Sequence, residues 1–155
     1  MKKSEKIVWN NVTQFEKPEQ SPGFLLWQTS TLWRRQIEQA LETIHLTHTQ
    51  FVLLANIAWL THDNKNVSQV DLAKQCKTDI NVTSQVLRTL EKRNFIERMV
   101  LKSNLRTKSL VVTESGKQLV AQAIPLVESI DAQFFKQLDT LEQKNLVKLL
   151  TKLTF

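Results

Sequence analysis

Residues 67–94 read VSQVDLAKQCKTDINVTSQVLRTLEKRN. Ser68 and Asp71 match the capping-box pattern, in which a hydroxyl at the N-cap is followed three residues later by a carboxylate, so they predict the start of a helix. A second helix is predicted to begin at Thr78-Asp79 after a tight break. Its end is predicted at Asn94, because asparagine is one of the few non-glycine residues that tolerate the left-handed conformation of a helix end. The stretch therefore predicts a helix, a short turn and a second helix.

The next segment predicts a β-hairpin. Residues 96–101 and 108–113 are β-branched and apolar runs of strand length, and the polar, basic residues 102–107 between them are predicted to form the tip. Thr113 is a capping residue for a further helix that begins at Glu114. Together with residues 67–94, this order predicts a winged helix-turn-helix.

Long helices are predicted on both sides of this unit. The 155 residues contain only two glycines, and a chain of this length fits one globular domain. Ser21-Pro22 predicts a helix that runs to about Thr43, and Thr47 to Thr49 predict the start of a central buried helix with the apolar run 51–60. Near the C-terminus, Thr140 and Gln143 suggest another capping box. The predicted fold class is mainly α (α+β) with a two-stranded wing.

The positive charge is concentrated in residues 74–108. This segment holds nine basic and three acidic residues, a balance of +6 that equals the net charge of the whole chain. A localised positive field attracts polyanions through counterion release, and DNA is the commonest polyanion available to a soluble protein. A charge run is also often only a solvated surface, so the local structure has to decide between the two interpretations.

The helix after Thr78 carries side chains that suit base recognition. Four polar residues stand at i, i+3, i+4 and i+7, opposite a predicted apolar stripe of Val82, Val86 and Leu90. Arginine pairs with guanine, asparagine and glutamine pair with adenine, and serine pairs with either base. The predicted DNA-binding residues of this helix are Asn81, Thr83, Ser84, Gln85 and Arg88. Lys102, Asn104, Arg106 and Lys108 are predicted to contact DNA from the wing, and Ser68 to donate to a phosphate.

With these motifs, the chain resembles the multiple-antibiotic-resistance-repressor (MarR) family of bacterial transcription regulators. The resemblance covers roughly residues 21–153, and four stretches carry it in the DNA-binding part: VSQVDLA from Val67, VTSQVLRTLE from Val82, IER from Ile96 and LVVTESG from Leu110. SPGFLLWQ from Ser21 also looks like the opening of one branch of the family.

The resemblance implies a homodimer on a pseudo-palindromic operator, with interlocking first and last helices and often a small-molecule pocket. It divides the chain into an N-terminal arm, 1–20, and one domain, 21–155, with dimerisation helices at 21–46 and 114–155 and a DNA-binding lobe at 47–113. Two positions depart from the family pattern. Asn104-Leu105-Arg106 replaces Asp-x-Arg in the wing, so the carboxylate that would orient the arginine is lost, and Asn94 replaces a glycine.

Other chemistries find less support. His45, His48 and His62 could suggest a metal site, but His48 and His62 flank a helix of about a dozen residues and lie about 20 Å apart, so these two would share an ion only across a dimer. The single cysteine, Cys76, excludes an internal disulfide, and inert packing is favoured over redox sensing. Core packing is likewise favoured over a ligand pocket for Trp27, Trp33 and Trp59. Neither an enzyme nor a cofactor is predicted, because the sequence lacks nucleophile-elbow glycines, a phosphate-cradling loop and paired carboxylates.

The sequence predicts a cytoplasmic protein, because it has neither a signal peptide nor a run long enough to span a membrane. The leading hypothesis is a homodimeric, sequence-specific regulator of double-stranded DNA, most simply a repressor that a small effector releases. Two alternatives use the same surface: a protein–protein interaction module for an acidic partner, and a nucleoid-associated protein that binds any duplex.

Overall fold

The computed structural model describes residues 7–9, 12–62, 66–101 and 104–155, and for residues 101 and 104–107 it describes the backbone alone. The described residues form a short 3₁₀ turn at Pro18–Gln20, six α-helices and one antiparallel sheet. In chain order these are α1 (Pro22–Glu42), α2 (His48–Thr61), α3 (Gln69–Cys76), α4 (Ile80–Lys92), β1 (Ile96–Leu101), β2 (Asn104–Val112), α5 (Glu114–Phe134) and α6 (Thr140–Thr154). The mainly helical fold class with a two-stranded wing is confirmed.

Contacts divide the chain into two compact units, Met1–Arg35 and Gln36–Phe155, with the boundary inside α1. In the first unit, Phe24 and Trp27 stack on successive turns of α1, with ring centroids 6.3 Å apart. The predicted N-terminal arm, residues 1–20, belongs to this unit and lies partly outside the described residues. The division into dimerisation helices and a DNA-binding lobe stays a prediction.

The second unit is built around α2. This helix packs against α3, α4, α5 and β2, and its Leu53, Leu54 and Ile57 are almost completely buried. Thr47 starts it with a complete capping box, because its hydroxyl accepts from the Gln50 amide while the Gln50 side chain accepts from the Thr47 amide. The prediction of a central buried helix is confirmed, except that Trp59 is 76% exposed and lies outside the core.

Several helix termini match the sequence prediction. Ser68 and Asp71 form the predicted capping box of α3, and Thr113 caps α5. The predicted cap of α6 is wrong by one residue: Asp139 and Glu142 form the capping box instead of Thr140 and Gln143. A carboxylate at Asp139 accepts two backbone N–H groups and carries a negative charge that favours a helix N-terminus, so it displaces the neighbouring hydroxyl.

The start of α5 is held tightly against the end of α4. The hydroxyls of Thr113 and Ser115 both donate to the Asn94 carbonyl, at 2.7 and 2.6 Å. A Cβ atom at Gly116 would collide with the Phe95 carbonyl and the Val112 side chain, so only glycine permits this approach. The wing and the helix before it are therefore fixed at their base.

Candidate DNA-binding interface

The orientation of α4 decides which of its side chains are available to a partner. Asp79 starts the helix, accepting from the amides of Asn81 at 2.7 Å and Val82 at 3.2 Å. Thr83, Leu87 and Leu90 are completely buried against the rest of the lobe. The opposite side is solvent-exposed, with Asn81, Gln85 and Arg88 on it and the half-buried Ser84 at its edge. We call Asn81, Ser84, Gln85 and Arg88 the polar face.

Two expectations about α4 are wrong. Thr83 was expected to reach DNA, but its hydroxyl donates to the Asp79 carbonyl at 2.8 Å and lies 2.8 Å from the Thr78 hydroxyl, inside the lobe. Val82 was expected on the inner side, but it is 45% exposed. Thr83, Leu87 and Leu90 stand at i, i+4 and i+7, so their side chains lie on the same side of the helix. The inner stripe therefore begins at Thr83. A threonine with its hydroxyl bonded locally fills that position.

The turn between α3 and α4 is three residues long, Lys77 to Asp79. Lys77 adopts the left-handed conformation, with φ of 52°, and the amide of Thr78 donates to the Ala73 carbonyl at 3.0 Å. This αL geometry closes α3 and turns the chain directly into α4. The sequence contains no glycine or asparagine at this position, so the left-handed residue was not predicted here, whereas the same conformation at Asn94, with φ of 60°, confirms the prediction.

The Ser68 hydroxyl has a partner within the chain. It donates to the Asp71 carboxylate at 2.6 Å and accepts from the Asp71 amide at 3.2 Å. The bond from the hydroxyl, and then a second one that the Ser68 amide donates to the same carboxylate at 3.1 Å, lower the pKa of Asp71, so the carboxylate is charged. Two features therefore oppose the expected phosphate contact at Ser68. The Asp71 carboxylate beside it would repel a phosphate, and the hydroxyl proton is already donated to that carboxylate.

The wing is an antiparallel pair in which Ile96 lies opposite Val112 and Val100 opposite Lys108. The predicted tip, 102–107, is too long, because β2 begins at Asn104, opposite Leu101. The register shifts between Val100 and Leu101, so β2 carries extra residues at this point, as in a β-bulge.

The predicted wing contacts occupy different parts of this hairpin. Lys108 lies in β2 with its side chain exposed. Asn104 and Arg106 also lie in β2, with the backbone alone described, and Lys102 lies outside the described residues. The inner side of β2 holds the wing to the lobe, because the Leu110 amide donates to the Val67 carbonyl at 2.8 Å and the Ser109 hydroxyl accepts from the Val67 amide at 3.3 Å.

At least three cations of the basic segment have partners within the chain, and one of them is Lys77, whose ammonium lies 5.2 Å from the centre of the Phe155 ring. Arg93 donates to the His45 carbonyl at 2.8 Å and to Gln50 Oε1 at 3.3 Å, and its guanidinium lies 4.8 Å from the centre of the Phe95 ring. Arg98 Nε lies 3.2 Å from a carboxylate oxygen of Glu91, which joins β1 to α4. Arg93 and Arg98 position the helix and the wing, whereas Arg88 and Lys108 remain exposed.

The structure also bears on the ligand pocket, the reactive cysteine and the metal site that the sequence raised as alternatives. A cavity of about 570 Å³ lies between the end of α2, β2 and the start of α5, with Thr61, His62, Asn66 and Lys117 among its polar lining. None of the three tryptophans considered for a ligand pocket lines it, and Trp27 is exposed like Trp59, so the expected core packing is wrong for these two. Burial raises the pKa of the Cys76 thiol, which disfavours the reactive thiolate. Within the described ranges, no three potential ligands among His, Cys, Asp and Glu converge on one position.

No helix in the described parts of the chain is both long and apolar enough to cross a membrane.

A tight turn between two helices, an exposed polar face on the second helix and an antiparallel hairpin behind it define a winged helix-turn-helix protein. A model of the MarR family matches residues 46–108, which include both helices, the turn between them, β1 and the first part of β2. The chain is also 42% identical over 129 residues to YdcH, an uncharacterized HTH-type transcriptional regulator of Bacillus subtilis, with 83% of this chain and 86% of that protein covered.

Solved structures show the same fold. A mutant of E. coli MarR complexed with operator DNA matches with a TM-score of 0.77 and 21% identity, over 96% of this chain and 99% of that one. BpsR of Bordetella bronchiseptica, whose DNA binding is regulated by 6-hydroxynicotinic acid, matches with a TM-score of 0.79 and 25% identity, over 88% and 94% of the two chains. The chain belongs to the MarR family of transcriptional regulators, which confirms the family and the regulatory, DNA-binding function predicted from its sequence.

Proposed function

We propose that this regulator binds a pseudo-palindromic operator as a homodimer, with the polar face of α4 in the major groove of each half-site. The observation that carries the proposal is that this face is exposed and that three of its side chains have no partner among the described residues. Within the described residues, the side chains of Asn81, Gln85 and Arg88 make no hydrogen bond or ion pair, and all three are exposed on the helix that follows the turn. Such donors and acceptors match the pattern of base edges in the major groove.

The wing supplies affinity that does not depend on sequence. Lys108 is exposed on β2, and we assign it, with Lys102, Asn104 and Arg106, to phosphates or the minor groove beside the half-site. Thr83 has no part in this interface, since it is buried. Ser68 is assigned to the cap of α3 and not to a phosphate, because its hydroxyl proton is donated to Asp71.

The second copy is proposed to cover α6. This helix has no buried residue, although it and the residue that follows it carry a series of exposed apolar side chains: Leu141, Val147, Leu149, Leu150, Leu153 and, after the helix, Phe155. A contiguous apolar surface of this kind is typical of a protein–protein interface. A twofold dimer places its two recognition helices about one helical turn of DNA apart, which sets the spacing of the half-sites.

We further infer that the protein is a repressor released by a small effector, acts by binding and not by catalysis, and works in the cytoplasm. The E. coli and Bordetella proteins with this fold support the inference, because one is complexed with operator DNA and the DNA binding of the other is regulated by a small aromatic acid. The cavity beside α2, β2 and α5 is a candidate for the effector site, because a ligand there would touch both the wing and α5.

The test is to select an operator from a random duplex library and to compare its affinity with that of a shuffled duplex in electrophoretic shifts. We expect a preference of at least about 10³ at physiological salt and a stoichiometry of two chains per operator. Equal binding to both duplexes would support the nucleoid-associated alternative instead, and one chain per operator would refute the homodimer.

A further inference from the structure

Two apolar side chains lie exposed beside the polar face of α4. Val82 is 45% exposed and Ile80 is 40% exposed, and both belong to the first turn of the helix, where they flank Asn81. Val86 follows Val82 one turn later and is half-buried, so the valines form a short apolar edge next to Gln85. This edge is the feature of α4 that the hydrogen-bonding face does not explain.

The hydrophobic effect alone would bury Val82 and expose Thr83, and the structure shows the opposite. Thr83 is completely buried while the neighbouring Val82 faces solvent, although the valine would gain more from burial. Leu87 and Leu90 fix the rotation of the helix, and Thr83 fits inside because its hydroxyl bonds to the Asp79 carbonyl and to Thr78. Position 82 is thereby held on the DNA side of the helix, and it carries a branched apolar side chain in the first turn, where recognition helices approach base edges.

The chemistry of the groove identifies what such a side chain recognises. Among the base edges in the major groove, thymine alone presents an apolar group, its 5-methyl, and the other edge positions present hydrogen-bond donors and acceptors. We propose that Val82 contacts the 5-methyl group of a thymine in each half-site, next to the base pair that Gln85 reads. The inference rests on the proposed function and adds one specificity determinant to it.

The experiment uses the full-length protein and the operator selected from the random library. Each thymine of the half-site is replaced, one at a time, by deoxyuridine, which removes only the methyl group and keeps the base pair and its O4 acceptor. Wild-type protein should lose about fourfold in affinity at one thymine, the effect of burying a single methyl group. Val82→Ala should bind the thymine and deoxyuridine duplexes equally at that position, while other positions keep their wild-type response.

Val70→Ala is the matched control, because Val70 is an equally exposed valine, at 50%, on the neighbouring helix α3. This variant should retain the fourfold thymine effect. Alanine favours helix at exposed positions, and circular dichroism verifies that both variants are folded. A half-site without thymine, no deoxyuridine effect in wild type, or an effect that persists in Val82→Ala would each overturn the inference while operator binding stands. Absence of any sequence-specific binding would instead overturn the proposed function and this inference with it.

Discussion

The hydroxyl of Thr83 helps to decide which side of α4 faces solvent. This hydroxyl lies within hydrogen-bonding distance of the Asp79 carbonyl and the Thr78 hydroxyl, so burial leaves it satisfied. The side chain then packs in line with Leu87 and Leu90. Because these three residues share the inner side, Asn81, Gln85 and Arg88 are left on the outer one.

Thr83→Val should therefore affect folding and not base preference. Valine keeps the volume but loses both hydrogen bonds, which should lower the free energy of unfolding by about 1 to 2 kcal/mol. Urea denaturation at one protein concentration measures this, and the operator preference of the folded variant should equal that of wild type. Gln85→Ala is the control with the opposite result, a change of unfolding free energy within about 0.5 kcal/mol and an altered preference at one base pair. A Thr83→Val protein of wild-type stability and changed preference would refute the assignment.

The capping box of α3 makes a prediction about pH. The Ser68 hydroxyl and amide hold the pKa of Asp71 below its ordinary value of 3.8. A depressed carboxyl pKa stabilises the fold above the unfolded-state value, and the contribution disappears as the pH falls through the folded-state value. The difference in unfolding free energy between wild type and Asp71→Asn should thus be constant above about pH 5 and shrink below about pH 4. A difference that grows on acidification would contradict this role.

Arg93 joins the end of α4 to the turn between α1 and α2. It donates to the His45 carbonyl and to Gln50, and Gln50 itself accepts from the Thr47 amide. His45 adopts the left-handed conformation, with φ of 56°, so its carbonyl is presented by a constrained residue. The contact joins segments more than 40 residues apart and positions α4 within the lobe.

Arg93→Ala should lower the free energy of unfolding by about 1 to 3 kcal/mol, because a charged hydrogen-bond donor and an aromatic stacking contact are lost. Arg93→Lys should recover little of this, since lysine lacks the planar fork that reaches two acceptors. Neither variant should change the salt dependence of DNA binding. The neighbouring Lys92 is exposed, and Lys92→Ala should change the unfolding free energy by less than about 0.5 kcal/mol. Full stability of Arg93→Lys would show that charge alone matters at this position.

The sequence predicted the helix starts at Thr47, Ser68 and Thr113 well, because capping depends on residues three positions apart. It misplaced Val82 and Thr83, because neighbouring helical positions differ by about 100° and residue type alone ranks valine as the buried one. The start of β2 was missed for a related reason. Pairing with β1 decides it, and no side-chain pattern within 104–107 indicates that pairing.

For the molecule as a whole, the sequence predicted what kind of surface the basic segment forms but not which cations remain free. The polar face of α4 follows from the spacing of Asn81, Ser84, Gln85 and Arg88. That Arg93 and Arg98 are engaged with His45, Gln50 and Glu91 depends on contacts between distant segments. In the same way, the sequence of α6 shows an apolar stripe but does not tell whether the stripe packs within the chain or against a second copy. The structure shows that the stripe is exposed in the single chain.

The central claim is that exposed side chains of α4 read bases while the wing binds the backbone. The most direct measurement is the affinity of wild type, Arg88→Ala and Lys108→Ala for every single-base-pair variant of the selected operator. Arg88→Ala should lose discrimination by about 1 to 3 kcal/mol at one symmetry-related pair of positions and keep it elsewhere. Lys108→Ala should weaken all variants alike and reduce the salt slope by about one. An Arg88→Ala protein that weakens every operator variant equally and keeps the wild-type preferences would contradict the claim.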